Sequence, residues 1–237
     1  MALPIINTPT YELEVPSTDE KIKYRPFLVK EEKILMIAME GANQNDIINA
    51  VKEIVLACTF NKLDISNMPM FDLEYVFLQI RAKSVGEVSQ VKLRCPDDNE
   101  TFAEVEIDLT KVKVQVDDNH TNKIELTDDM GIVMKYPTVD TFGKSGVTEV
   151  TAENMIDVIS TCIHQIYEKK GEVVYDAKDS TRKELNDFVE QCNAQQFKEI
   201  QSFFDTMPRL KHTVKVKNPK TKVESDIELN GLNDFFA

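Results

Sequence analysis

Reactive side chains are scarce in this sequence. Its four cysteines, Cys58, Cys95, Cys162 and Cys192, all stand singly, with no Cys-x-x-Cys pair. A structural zinc ion takes four ligands in a tetrahedron, so isolated thiols exclude a locally encoded site. Three of the four fall on apolar positions of expected helices, where free cysteine behaves as a small hydrophobe of a reducing compartment, and disulfides are not expected. Histidine occurs three times, as His120, His164 and His212. His164 lies two residues from Cys162 on an expected helix, which puts the pair on different faces and sets up no Cys/His dyad. There is no His-Glu-x-x-His segment, no serine elbow and no Gly-rich dinucleotide turn. Gly143-Lys144-Ser145 has the ending of a phosphate loop, but Thr138 stands where its first glycine belongs and Val147-Thr148-Glu149 opens no helix. The acidic pairs Asp97-Asp98, Asp117-Asp118 and Asp128-Asp129 sit in turns and lack a calcium-loop register. No catalytic, cofactor-binding or metal-binding residue is therefore assigned, and no cofactor is expected.

Cations are outnumbered as well, 28 against 41 acidic side chains for a net charge of −13, which argues against a phosphate-backbone ligand. No apolar run approaches the roughly 20 residues that span a bilayer. Met1-Ala2-Leu3-Pro4 lacks the basic segment and apolar stretch of a signal peptide. Neither nucleic acid nor membrane is an expected partner, and the expected compartment is the cytosol. Tryptophan is absent, while nine methionines suggest adaptable packing.

What the sequence does contain is one pattern written twice. Val91-Lys92-Leu93-Arg94-Cys95-Pro96 runs on to Ile107-Asp108-Leu109, and Val214-Lys215-Val216-Lys217-Asn218-Pro219 runs on to Ile227-Glu228-Leu229. Each reads as a half-buried β-hairpin: an alternating apolar/basic strand, a Pro-containing polar turn and an alternating apolar/acidic strand. Such a tip is where a zinc ribbon carries its cysteine knuckle. Here only Cys95 stands at a tip, and Asn218 supplies no soft ligand, so the hairpins are expected to be held by packing. Lys92 and Arg94, or Lys215 and Lys217, face acidic residues of the returning strand, contributing about 0.2 to 1 kcal/mol per pair.

Pro4, Pro9, Pro16 and Pro26 make residues 1–30 an extended arm with an edge hairpin turning at Pro16-Ser17-Thr18-Asp19, lying on a partner or folded back on its own domain. Residues 31–87 read as a first helical part. Glu31-Glu32 opens a helix with the stripe Ile34, Leu35 and Ala38, ended by Gly41. Asn43 or Asn45 caps a second, with Ile47, Val51, Ile54, Val55 and Cys58 inward, and a third runs from Met70 to Lys83. Residues 88–137 are β-rich: the first hairpin, then Val112, Val114 and Val116, then strands from Ile124 to Tyr136. Residues 138–208 form a second helical part: a helix capped by Thr151 running through Met155 and Ile166 to Gly171, one with a Thr181/Glu184 capping box, and one capped at Asn193 with Gln196. Residues 209–237 carry the second hairpin and a tail. The expected fold is α+β, a helical core with two projecting antiparallel β-hairpins and an extended N-terminal arm. The five segments form one integrated domain, in which the set from Met155 to Phe204 joins Ile47 to Cys58 in one core. Phe235 and Phe236 are expected to rest in an apolar groove, of this chain or of a partner.

The string Tyr24-Arg25-Pro26-Phe27-Leu28-Val29-Lys30-Glu31-Glu32-Lys33-Ile34-Leu35 resembles the baseplate hub assembly proteins of T4-like contractile-tailed bacteriophages. So do Leu3-Pro4, Pro16-Ser17-Thr18, the hairpin at Cys95-Pro96 and the closing Leu229-Asn230-Gly231-Leu232-Asn233-Asp234-Phe235-Phe236. The resemblance touches both ends and the middle of the chain, and the Arg-Pro-Phe-Leu-Val-Lys-Glu-Glu-Lys stretch is its most specific part. It implies a late viral protein, made in the host cytoplasm and needed to build the central hub of the tail baseplate. Such a protein works through contacts with other hub proteins rather than by catalysis, and it either stays in the virion or leaves after assembly. Arg25, Phe27, Leu232, Phe235 and Phe236 are the candidate partner contacts. The alternative is an enzyme whose site gathers distant histidine, cysteine and acidic residues.

Overall fold

Around Pro16 the N-terminal segment doubles back, and β1 (Tyr11–Glu14) pairs antiparallel with β2 (Lys21–Tyr24). The structure is a computed structural model that describes residues 6–41, 43–141, 151 and 154–235. The hairpin turn is tied down: the Ser17 N–H donates to Asp72 Oδ1 at 3.1 Å, and the Ser17 hydroxyl donates to the other carboxylate oxygen. Helix α1 (Val29–Glu40) follows, its first turn held by Glu31, whose Oε2 accepts the Leu28 N–H at 2.8 Å. Gly41 ends it. Asn43 caps α2 (Gln44–Cys58) by accepting the Asn45 N–H. Helix α3 (Met70–Val85) is apolar on nearly every side and buries Phe71, Leu73, Val76, Phe77, Leu78, Ile80 and Ala82. A helix of that kind belongs in an interior.

The chain divides into two compact units, Met1–Gln115 with Arg209–Ala237, and Val116–Pro208. The first unit continues with β3 (Val88–Arg94), antiparallel to β4 (Phe102–Asp108), and then β5 (Lys113–Gln115). The second unit holds β6 (Lys123–Glu125), β7 (Met130–Met134), α4 (Met155–Cys162), β8 (Ile163–Glu168), β9 (Val173–Asp176), α5 (Arg182–Glu190) and α6 (Ala194–Thr206). Its sheet runs β6-β7-β8-β9, all antiparallel. Gly131 is required there, because a Cβ would meet the Ile124 carbonyl at 2.6 Å and clash with the Tyr167 side chain. Ile124, Ile132, Met134, Ile159, Cys162, Ile163, Leu185, Val189, Ile200 and Phe203 make its core. The helical stretches 31–87 and 138–208, expected to share one core, fall in different units.

Both capping boxes form as expected. Thr181 Oγ1 accepts the Glu184 N–H, and Asn193 Oδ1 accepts those of Gln195 and Gln196. The expected helix to Gly171 is corrected: it stops at Cys162, and Ile163 enters β8 without a loop. Residues 163–168 are rich in β-branched and aromatic side chains, and the ladder they gain against β7 outweighs helical spacing. His164 therefore stands on a strand, and β9 is a strand that was not expected. The expected cap, Thr151, is replaced by Asn154. The Gly143-Lys144-Ser145 loop lies outside the described residues.

In the first unit, β10 (Arg209–Lys217) pairs with β11 (Glu224–Asn230) on one side and β5 on the other. The two hairpins do not project from a helical core; they supply it. Val91, Leu93, Cys95, Ala103, Ile107, Val214, Val216 and Leu229 bury around Leu78 and Ala82 of α3. Two cross-strand charge pairs set opposite by the register are in contact, Lys92 with Glu104 at 3.4 Å and Lys217 with Glu224 at 3.3 Å. Arg94 instead lies over the Phe102 ring, 5.6 Å from its centroid.

The tips share one geometry. The Cys95 N–H donates to the Thr101 carbonyl at 2.8 Å and the Asn218 N–H to the Val223 carbonyl at 2.9 Å. Four residues on from each, Asn99 and Lys222 both take positive φ, 54° and 68°. Between the tips, the Asn218 amide donates to both oxygens of Asp97, at 2.9 and 3.1 Å, and the Thr221 hydroxyl donates to Asp97 Oδ2. Asn218 Oδ1 accepts the N–H groups of Lys220 and Thr221. These bonds to Asn218 and Thr221 hold the Asp97 carboxyl below its ordinary pKa. Hydrogen bonds thus join the tips where a zinc ribbon would place metal. Asn218 is 1% exposed and its amide donates to the Asp97 carboxylate, so replacing it by Ala removes charge-assisted bonds and is expected to cost about 1–3 kcal/mol in urea unfolding. Wild-type stability in Asn218→Ala would show that packing alone holds the tips.

Candidate partner-docking site

The titratable groups decide what chemistry is open to the chain. Cys58 and Cys162 are buried, and desolvation pushes their thiols up to about 11 and about 12. Burial also raises Cys95 and Cys192. Protonated thiols are poor nucleophiles and poor metal ligands. His120 is engaged on both nitrogens, with Thr206 Oγ1 at 3.0 Å and the Tyr136 hydroxyl at 3.1 Å, and its ring stacks on Tyr136. Burial lowers its pKa. His164 opens on a polar depression of about 430 Å³ in the second unit, lined by Lys135, Ser160, Asp176, Lys178 and Arg182 among others; His120 and His212 are not in its lining. Among the described residues, no three His, Cys, Asp or Glu side chains gather as metal ligands. No described helix is long and apolar enough to cross a membrane.

A different site is built in the first unit. Three helices enclose a groove of about 430 Å³. Leu35, Met36 and Met39 of α1, Ile47 and Val51 of α2 and Phe77 and Val85 of α3 line it, together with Phe27 and Leu232. Glu32, Arg81, Ser89 and Gln90 supply the polar lining, and burial lowers the Arg81 pKa. Phe27 is positioned by its N–H, which donates to Ser84 Oγ at 2.9 Å. Leu232 is positioned by its N–H on Glu74 Oε1 at 3.4 Å and by the following residues. Among these Phe235 is fully buried, its carbonyl accepting the Ser89 hydroxyl at 3.0 Å. Met36 and Met39 are more than half exposed. Soft, unbranched side chains on the open side of an apolar groove suit a surface that molds to a partner.

The sequence-proposed contacts separate accordingly. Phe27 and Leu232 line the groove. Phe235 belongs to the core of its own unit, and Phe236 lies outside the described residues. Arg25 points inward: Nη2 meets Glu31 Oε1 at 2.9 Å, Nη1 donates to the Pro26 carbonyl, and its backbone N–H donates to that of Cys58. Burial alone would raise the Glu31 pKa, but the bonds from Arg25 and Leu28 outweigh it and lower it. Sequence reading missed Met36 and Met39. The signal was the unbroken apolar run Ile34 to Met39, which is more than one face of a helix can bury.

An apolar groove with exposed methionines in its lining is the equipment of a protein that binds other proteins. Its family agrees. The family described as T4 bacteriophage base plate protein matches residues 8–237, and the chain belongs to it. No curated protein and no solved structure matches the chain. Membership makes it a structural protein of a bacteriophage tail baseplate, with other baseplate proteins as its partners.

Glu74, which holds Leu232 at the groove's end, has its pKa pushed up by burial to about 7, against an ordinary value of 4.5. A carboxyl raised on folding leaves stability intact below the unfolded pKa and withdraws it as pH rises through the folded one. Glu74→Gln keeps an acceptor for the Leu232 N–H and carries no charge. It is expected to stabilise by about 1–3 kcal/mol at pH 8 and by nothing measurable at pH 4, read from paired urea titrations.

Proposed function

We propose that the protein is a component or assembly factor of the central hub of the tail baseplate, acting through contacts with other hub proteins and without catalysis. The family supports the baseplate part of this reading, and the methionine-walled groove supports docking. The groove supports docking because its lining is largely apolar, with Met36 and Met39 more than half exposed, in a chain of net charge −13. Burying a side chain such as Met39 against a partner contributes about 1.5–3 kcal/mol, and a few such anchors suffice for a specific contact. The hub reading also rests on the resemblance of residues 24–35 and of the closing segment.

Complementation of a phage lacking the protein tests it. Met39→Asp alters an exposed position, so melting temperature should stay within about 2 °C, while the yield of assembled hubs should fall at least about tenfold. Removing Gly231 to Ala237 should impair folding or hub association. Full hub assembly with Met39→Asp would sink the groove as a docking site. Mass spectrometry of purified particles then separates a permanent subunit, which is present, from a transient factor, which is absent.

A further inference from the structure

Helix α1 carries a second apolar feature, on its solvent side. Val29, Lys33, Met36, Ile37 and Glu40 fall three or four residues apart along the helix and form one stripe. All five are exposed, Val29 at 79% and Met36 and Ile37 at 58% each, while the opposite side buries Glu31 and Ala38. Single exposed apolar residues are ordinary; an adjacent pair centred between a lysine and a glutamate of the same stripe is not explained by the unit's own packing.

We propose that this stripe is the contact between two copies of the chain, α1 packed antiparallel on α1 about a twofold axis that passes between Met36 and Ile37. Charge complementarity selects both occupant and direction. Lys33 and Glu40 stand equally far on either side of the Met36–Ile37 midpoint, so an antiparallel twofold sets each lysine opposite the glutamate of the second copy, at both ends. Between these ion pairs, Met36 and Ile37 of the two copies close over each other. A parallel pairing would set lysine on lysine and glutamate on glutamate. A different protein places no such requirement on this helix, whereas a twofold homodimer whose apolar centre is flanked by charges needs opposite signs at equal distances from its axis. The contact spans about 10 Å of helix, so the interface is small and the association weak. The inference goes beyond the hub reading and does not rest on it.

Sedimentation velocity on the full chain, from about 1 to 300 μM in about 0.15 M salt, tests it. The wild type should pass from monomer to dimer. Lys33→Glu or Glu40→Lys alone should each weaken association about tenfold, since each introduces two like-charge contacts. The double variant Lys33→Glu/Glu40→Lys should return to within about threefold of wild type. Ile37→Asp should weaken dimerisation at least about a hundredfold with circular dichroism unchanged, because the position is exposed. A wild type that stays monomeric across the range overturns the proposal, as does a dimer indifferent to Ile37→Asp or a double variant no better than either single one. If the chain is monomeric and Ile37→Asp blocks baseplate assembly, the stripe serves another protein and the dimer is wrong.

Discussion

The first unit is organised by the need to bury one helix on all sides. Met70–Val85 has no polar face broad enough to lie on a surface, so segments from several parts of the unit cover it. The two hairpins close over Leu78 and Ala82. The N-terminal turn reaches it through Ser17 and Asp72, Phe27 through Ser84, and the C-terminal turn through Glu74. Its polar side chains are thus the points where incoming segments are tied by hydrogen bonds. Asp72 shows what such a tie works against: burial raises its pKa, and the two bonds from Ser17 offset that only in part. Covering a central helix from separate parts of the sequence also explains why 209–237 belongs to the same unit as 1–115.

This arrangement decides what was legible in the sequence. Strand alternation around Cys95 and Asn218 was readable because each hairpin buries only one face. The Thr181 and Asn193 caps were readable because a capping box is a local contact. The role of the hairpins was not readable. Alternation says that one face is buried but not against what, and the hairpins proved to be the covering layer of the helix rather than appendages to it. The passage from α4 to β8 failed for a related reason. Met155, Ile159, Cys162, Ile163 and Ile166 have helical spacing, yet a free edge of β7 offers Ile163 onward a ladder that no local pattern records.

The candidate site was legible only in part. Phe27 and Leu232 were singled out and line the groove; Arg25 was singled out too, but a guanidinium that faces a carboxylate 4% exposed serves the fold. An isolated charge buried so deeply would be costly, and the pair is tolerated because Glu31 also takes the Leu28 N–H. Conspicuous motif residues therefore proved partly architectural, whereas the open wall of the groove came from unremarked methionines.

Those methionines bear on why α1 looks as it does. A helix that only completed the unit would need apolar residues on one side, and Ala38 with Leu35 nearly meets that need. Met36, Ile37 and Met39 are additional, and water-exposed apolar area in a chain of net charge −13 is retained at a cost in solubility. Met39 and Leu35 turn toward the groove, Ile37 toward the charged stripe, and Met36 lies at the border of both. One helix is thereby equipped for two contacts of different character: a concave apolar pocket that suits an inserted side chain, and a self-complementary ridge that suits its own copy. Because Met36 serves both surfaces, occupancy of one bears directly on the other, and a two-copy contact would place two grooves at a fixed spacing for the proteins that fill them.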